Sequence, residues 1–400
     1  MRYFKIIMLL FIYLNIQIKA QDTIYKAKNY SLNGYIKDMQ SVLFTNFKDQ
    51  WINDNLLHNR LNFKWSISHS LLFNLQMRNR LLFGDLISYI PSYDSIIKTD
   101  NNLLKLNKNL YSEKSFILNS TLDRLNLDLT INKIQITLGR QRINWGQTFV
   151  WNPNDIFNAY SFLDFDYEER PGSDAMRIQY HNNETSKIEA AIKADKNKKL
   201  TYSGLYNFNR NNYDIQMLAG IVSQEDFVGG VGWSGDLLKG SFRAEASCFV
   251  PLEKINNKLS KPKNTIINQI NNSIILISLG YDYIFKNSLY LQTEMLYNSA
   301  GLSKGTLSFN DYYFKEFTIK NLSLTRYSFF ASASYPVSSL FNTVLSAIYS
   351  PNDNSLVCIP NFTYSLNDNA ELSLILQSFY NFKNTKFLAN LFFIRLKINF

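Results

Sequence analysis

Along most of the chain apolar and polar residues take turns, one for one. Leu57, Leu61, Phe63, Trp65 and Ile67 alternate with His58, Arg60, Asn62, Lys64, Ser66 and Ser68. Leu71, Phe73, Leu75, Met77, Leu81 and Phe83 oppose Asn74, Gln76, Arg78 and Arg80. Leu238, Phe242, Ala244, Ala246, Cys248 and Val250 oppose Lys239, Ser241, Arg243, Glu245 and Ser247. Successive side chains of a strand point to opposite faces, so such runs predict strands with one apolar and one polar face. The chain ends the same way, with Leu388, Phe392, Ile394, Leu396, Ile398 and Phe400 on one face and Arg395, Lys397 and Asn399 on the other. These runs extend over roughly 10 to 14 residues, about twice a soluble strand and the length of a tilted membrane-spanning one.

The pattern predicts about eighteen strands: 33–46, 56–67, 70–83, 116–131, 134–145, 174–182, 186–195, 200–209, 212–222, 226–235, 237–250, 273–286, 288–299, 323–337, 339–350, 354–366, 369–381 and 385–400. Sixteen is the alternative, because the first is the weakest and a short pair could merge. In hydrocarbon every backbone amide needs a partner, so the strands must close on one another. The expected fold is therefore all-β, a closed antiparallel transmembrane β-barrel. The long connections, 84–114, 146–173, 251–272 and 300–322, all follow odd-numbered strands and so gather on one rim, as external loops do.

Before the barrel, Arg2 and Lys5 precede an apolar stretch from Ile6 to about Ile16, and Ile18-Lys19-Ala20 supplies a small residue for cleavage. This reads as a signal peptide over 1–20, with the barrel occupying 21–400. Composition agrees: hydrophobics are 46% and aromatics 15%, while a mean hydropathy of −0.19 is too polar for a multi-helix membrane protein. The formal charge of +10 falls to 10 − 3 = +7 once Arg2, Lys5 and Lys19 are removed. It fits an anionic solute, a membrane surface or nucleic acid, or a Lys/Asn-rich composition with no partner implied. The two cysteines, Cys248 and Cys358, match no metal spacing and fall on the apolar face of their strands.

The candidate chemistry lies between Leu138 and Arg177. Unbroken alternation after Ile134, Ile136 and Leu138 would send Arg140 and Arg142 into hydrocarbon, at roughly 2 to 4 kcal/mol each. A bulge at Gly139 would shift the phase, placing Ile143 and Trp145 outward and Arg140, Arg142 and Asn144 in the lumen. With Arg124 and Arg177 these arginines would form a basic wall, Asp128 lying beside Arg124. The following loop carries Asp155, Asp164, Asp166, Glu168 and Glu169. Folded inward, it would oppose carboxylates to arginines in a narrowed eyelet that selects solutes by charge and width. Otherwise its acids bind divalent cations or lipopolysaccharide outside, or stay solvated. Arg60, Lys64, Arg78, Arg80, Arg243 and Glu245 are further lumen-facing candidates.

The segment Gly139-Arg140-Gln141 followed by Trp145-Gly146, with Asn152-Pro153-Asn154-Asp155 and Arg170-Pro171-Gly172 beyond it, resembles outer-membrane barrels of the porin-like and alginate-export-like kind. The resemblance covers about forty residues. It implies a structured lumen wall at Arg140 and Gln141 and passage of a polar solute, although the carboxylates that follow argue against a polyanion. A terminal Phe400 likewise resembles the signal by which the barrel-assembly machinery recognises its clients in a Gram-negative outer membrane.

His58, His69 and His181 accompany no nucleophile, and no dinucleotide, Walker or zinc motif is present. The reading is a porin-like channel for small polar solutes, not an enzyme, with no cofactor, no metal and no nucleic-acid partner. The alternative is a non-conducting surface or structural barrel, for adhesion, envelope assembly or polysaccharide export.

Overall fold

The computed structural model describes residues 29–252, 273–314 and 317–400, apart from residues 47, 49, 91, 159, 161 and 384. The signal peptide expected at 1–20 and nearly all of the connection expected at 251–272 lie outside the described residues. Among the described residues nineteen strands form one sheet. The first eight are β1 (Tyr30–Phe44), β2 (Ile52–Ser66), β3 (Leu71–Gly84), β4 (Asn107–Glu113), β5 (Phe116–Ile131), β6 (Ile134–Gln141), β7 (Ser173–Asn183) and β8 (Ser186–Ala194). There follow β9 (Leu200–Arg210), β10 (Tyr213–Val222), β11 (Asp226–Leu237), β12 (Gly240–Pro251), β13 (Ile274–Ile284) and β14 (Tyr290–Asn298). The last five are β15 (Tyr327–Pro336), β16 (Phe341–Ser350), β17 (Ser355–Asn367), β18 (Ala370–Asn381) and β19 (Lys386–Asn399).

Each strand pairs antiparallel with its neighbours, and β19 returns to pair with β1 from Tyr35↔Asn399 to Phe44↔Asn390. Gly34 and Phe400 exchange backbone hydrogen bonds of 2.9 and 3.0 Å at the end of this seam. Among the described residues the ring of strands other than β4, which pairs only with β5, therefore closes on itself, which is the condition for crossing a bilayer with strands. Among the described residues no helix is long and apolar enough to cross a membrane.

All eighteen expected strands are present, shifted by a few residues at their ends. The nineteenth, β4, lies inside the connection expected at 84–114, together with α1 (Asp85–Tyr89) and α2 (Tyr93–Ile97). It has a structural cause. β5 pairs over its whole length with β3, but its other edge meets β6 only from Leu125 to Ile131. β4 takes the remaining edge, pairing with Phe116–Thr121. Leaving β4 aside, eighteen strands circle the lumen.

β6 is short because the chain leaves the wall after Gln141, not at 145 as the alternation suggested. Nor does a bulge at Gly139 shift the phase: the β5–β6 register runs unbroken through Gly139 to Arg140. Gly139 instead takes φ +114°, a conformation side chains rarely permit, immediately before the departure. Ile143 and Trp145, expected to face outward, are 0% and 2% exposed inside the barrel. The register irregularity in this region falls at Asp123, an extra residue of β5 opposite Gln76 and Met77 of β3.

The outward positions of the wall are those the pattern assigned. Leu138, Ile188 and Val231 are each more than half exposed, and aromatic residues such as Trp65, Trp233, Tyr335 and Phe400 stand towards the strand ends. Water would not tolerate apolar surface on this scale; hydrocarbon requires it. Cys248 and Cys358 are free thiols on outward positions of β12 and β17.

The inward positions are less polar than expected. Leu205, Leu218, Val228, Phe249, Leu276 and Leu296 point inward and pack with Ile143, Trp145, Val150, Trp151, Ile156 and Phe157. A second apolar cluster joins Val357, Ile375, Phe379 and Phe393 of the wall to Tyr312, on the helix α3 (Phe309–Phe314), and to Phe165. A considerable part of the lumen is thus occupied by loops with their own cores.

Candidate functional site

The connection from Arg142 to Gly172 enters the barrel and is fastened there by carboxylates of the wall. Glu294 of β14 accepts backbone N–H bonds from Phe149 (2.8 Å), Val150 (2.9 Å) and Trp151 (2.7 Å), and the hydroxyl of Ser278 (2.8 Å). Glu245 of β12 accepts the N–H groups of Gln147, Thr148 (2.8 Å) and Asn154 (2.9 Å). Glu189 of β8 accepts the indole N–H of Trp145 at 2.6 Å. A tight turn aims consecutive N–H groups at one point and makes an anion-binding concavity; here the anion is a wall side chain. Gly230 and Gly232 of β11 let the turn approach, since a Cβ there would stand 2.6 Å from Asn154 and 2.7 Å from Gln147.

From this anchor the loop crosses towards β1, β2 and β19. Asp166 meets Lys37 Nζ at 2.7 Å and His58 Nδ1 at 3.3 Å. Glu169 accepts the Tyr35 hydroxyl at 2.9 Å and lies 3.4 Å from Arg60. Glu168 reaches Lys397 at 3.1 Å and Arg395 at 3.5 Å. Arg60 also binds Asp123 at 2.6 Å, and Asp123 accepts the Tyr167 hydroxyl at 2.6 Å. Three of the five expected loop carboxylates, Asp166, Glu168 and Glu169, therefore meet basic groups of the wall, on β1, β2 and β19.

The four arginines expected to form that wall are engaged elsewhere. Arg140 is enclosed by Asp174 (2.7 Å), Asp100 (2.9 Å) and the Leu104 carbonyl, at the notch left where β6 stops. Arg142 belongs to the loop and pairs with Asp155 inside it. Burial pushes the Asp155 carboxyl up to about 6, against the pull of Arg142. Arg124 donates to the carbonyls of Glu169 (2.7 Å) and Arg170 (3.0 Å), holding the loop's exit. Arg177 pairs with Glu189 at 2.8 Å. Asp128, beside Arg124 on β5, accepts hydrogen bonds from Asn74 and Thr137.

Two charged groups of β3 are not neutralised by contact. Arg78 lies with its guanidinium 4.0 Å over the Tyr167 ring, and its buried Nε has no partner among the described residues. Arg80 donates to the Asn119 carboxamide and the Ile97 carbonyl, both neutral acceptors, and makes no ion-pair contact among the described residues. Both line two adjoining spaces. One, about 380 Å³, holds Asp164, Asp166 and Tyr167; the other, about 740 Å³, holds Asp100, Asp123, Lys193 and Phe317. Asp164 faces this pair without a contact partner among the described residues. Loop 300–322 also bears on both spaces through Phe317; it is tied down by the Tyr312 hydroxyl on Asp353 (2.8 Å) and by Lys320 on Asp226 (2.6 Å).

Below the loop, at the short-turn end, a polar mouth is lined by Gln147, His181, Lys187, Asp214 and Arg243. Arg243 stacks over Phe149 at 4.1 Å. Lys64 is exposed on the inward side of β2 near the same end, and His69 is exposed in a short turn. Among the described residues no group of His, Cys, Asp or Glu is arranged to hold a metal.

Sequence reasoning missed Lys37, Asp123, Glu189 and Glu294 as site residues. Glu189 and Glu294 were legible as lone carboxylates at inward positions of SKIEAAIKA and YLQTEMLYN. Asp123 was not, since a bulge alone brings it inward.

No protein-family model matches the chain, and no curated protein matches it either. Among solved structures it is similar to Acinetobacter baumannii OccAB4, with 11% identity, a TM-score of 0.54, and 93% of this chain and 99% of that one covered. It is likewise similar to Pseudomonas aeruginosa OpdK with vanillate (9% identity, TM-score 0.54, 92% and 98% covered) and to Pseudomonas aeruginosa OccK8 (OprE) (7%, 0.52, 93% and 98%). At these identities the likeness establishes the architecture, a complete closed barrel of this size.

Proposed function

We propose that the chain is an outer-membrane channel for small polar solutes, narrowed by loop 142–172 against the wall of β1–β3. One observation carries this reading: inside the closed barrel the loop leaves Arg78, Arg80 and Asp164 lining open space with no ion-pair contact among the described residues. Burying charges without partners is costly, so a filled structural core would have paired or replaced them. A channel needs such groups, because they exchange contacts with a passing solute for its lost hydration. Likeness to the OpdK barrel, determined with vanillate, supports a lumen that admits a small organic molecule.

Export through the segment 1–20, assembly through the terminal strand ending in Phe400, and contact with lipopolysaccharide at the outer rim belong to the same reading. So does the absence of a catalytic role. The alternative, a non-conducting barrel for adhesion, envelope assembly or polysaccharide export, draws support from the apolar clusters that fill part of the lumen. Swelling of protein-loaded liposomes separates the two. Uptake of small sugars and amino acids is expected; liposomes that stay osmotically intact in every solute would leave only the structural barrel.

A further inference from the structure

Above the end of β6 the wall of the barrel lacks a strand. On β5, outward Phe116 marks the end nearest the long connections and outward Ile131 the opposite end, and β6 accompanies β5 only from Leu125 to Ile131. Leu125 lies near the middle of that span, so the missing stretch belongs to the half of the membrane next to the long connections. There β4 takes up the edge of β5 from Thr121 to Phe116, and its own second edge pairs with no strand among the described residues. Residues 99–106 cross from β4 to the top of β8, where Asn102 and Asp195 form a single bridge.

This crossing segment covers charges that would otherwise meet lipid. Arg140 and Asp174 stand opposite each other, two positions above the lipid-facing pair Leu138 and Met176, and so hold outward positions. They are nevertheless only 3% and 8% exposed. Asp100 pairs with Arg140 at 2.9 Å, the Leu104 carbonyl accepts from Arg140, and the Leu104 N–H donates to Asp174 at 2.6 Å. Asn102 donates to the Gly172 carbonyl at 3.1 Å, and the Lys196 N–H to the Asn101 carbonyl at 3.1 Å. None of the leucines in the segment is buried: Leu103 and Leu104 are nearly half exposed, and Leu106 is partly so. A segment held by polar ties, without buried apolar contacts, opens far more readily than the strands around it. Behind it lies the cavity of about 740 Å³, lined by Asp100, Asn102 and Arg140 at the wall and by Lys193, Ile156 and Phe157 further in. One layer of chain separates that cavity from lipid.

We propose that residues 99–106 form a lateral door, through which a single-chain amphiphile passes between this cavity and the membrane. The lining selects that class. Arg140 and Lys193 stand there with Asp100 and Asp195, so a head carrying both signs of charge finds partners, and Ile156 and Phe157 offer apolar surface to a tail. On the lipid side the tail meets Leu138 and Met176, which are 59% and 41% exposed directly below the segment. Opening exchanges the ties of Arg140 and Asp174 for contacts with the head, so neither charge is left bare in hydrocarbon. A paired strand in this place would close the route, because moving it would break a ladder of backbone bonds with no water to replace them. The inference rests on the outer face lying in lipid and is independent of what crosses the lumen lengthwise.

The test uses the full chain in phospholipid vesicles that contain lysophosphatidylcholine with a photoreactive group at its chain end. The pair Asn102→Cys and Asp195→Cys locks the door when oxidised, because opposed bridge residues have the spacing of a disulfide. Cys248→Ser and Cys358→Ser remove the native thiols from that variant. Labelled residues are mapped by mass spectrometry after illumination. In the wild type and the reduced variant, adducts are expected on outward Leu138 and also on Ile156 or Phe157, which are 0% and 2% exposed. The oxidised variant is expected to carry the Leu138 adduct alone. Interior adducts that persist in the oxidised form, or that are missing from the wild type, would overturn the proposal. A wild type unlabelled even at Leu138 removes the membrane premise and the proposal with it. Liposome swelling in small sugars adds a second readout, with the oxidised and reduced variants expected to swell at the same rate. Swelling that is lost on oxidation would assign the segment to the lengthwise path and contradict a lateral door.

Discussion

Replacing Glu294 by alanine tests how the loop is kept inside the barrel. In the folded protein its two oxygens receive the N–H groups of Phe149, Val150 and Trp151 at 2.7 to 2.9 Å, all within the apolar cluster around Trp145 and Phe157. The substitution orphans these three donors, each at a cost of about 1 to 3 kcal/mol when buried. Taking the low end for each, because water can enter the space the side chain leaves, gives about 3 kcal/mol. That moves the equilibrium between docked and released loop by about two decades. The assay is chymotrypsin digestion of the folded barrel in detergent, followed by mass spectrometry of cleavage after Phe149, Trp151 and Phe157. When reclosing outpaces cleavage, the cutting rate reports the released fraction. Cleavage about a hundredfold faster than in the wild type is expected, together with larger and noisier single-channel conductance. Wild-type resistance to the protease with unchanged conductance would refute the anchoring argument.

Three further outcomes follow from the geometry. Changing both Arg78 and Arg80 to alanine removes two positive charges that make no ion-pair contact and should lower anion-over-cation permeability in a planar bilayer roughly fivefold, the effect of about 1 kcal/mol; Asp164→Asn should shift selectivity the other way. Arg140→Ala leaves Asp100 and Asp174 without their shared cation, so it should shift selectivity towards cations and, by cutting the tie to the Leu104 carbonyl, release residues 100–106 to proteolysis. Asp155 binds its proton more tightly folded than unfolded, so its ionisation costs stability above about pH 6, and that cost is relieved as pH falls towards 4. Urea midpoints of the wild type, followed by tryptophan fluorescence, should therefore gain up to about 3 kcal/mol on acidification relative to Asp155→Asn.

The architecture was legible because strand alternation over a closed sheet is a local signal repeated eighteen times, with the same face apolar each time. What local pattern could not supply was the fate of the chain after Gly139. Continuing the alternation kept Ile143 and Trp145 in the wall, whereas a positive φ at Gly139 and distant carboxylates, Glu189, Glu245 and Glu294, draw the segment into the lumen. The acids of the loop were recognised, and so was the need for a basic counterpart. Its location was misassigned because the nearest arginines in sequence, Arg140 and Arg142, are consumed by neighbours, while Lys37, Arg60 and Lys397 arrive from the far ends of the chain. The apolar inward positions, Leu218 and Phe249 among them, do not stand out in the sequence because the loop core they cover is invisible to a period-two rule.

A disulfide between loop and wall tests the account most directly. Ser247 of β12 and Asn154 of the loop touch at 2.8 Å, in the middle of the enclosed turn. In a background with Cys248→Ser and Cys358→Ser, the pair Asn154→Cys and Ser247→Cys should oxidise spontaneously in the assembled barrel, with single-channel conductance equal to that of the reduced form. Thiols that remain free and open to a membrane-impermeant maleimide from the cell exterior would place the loop outside the barrel and contradict the account.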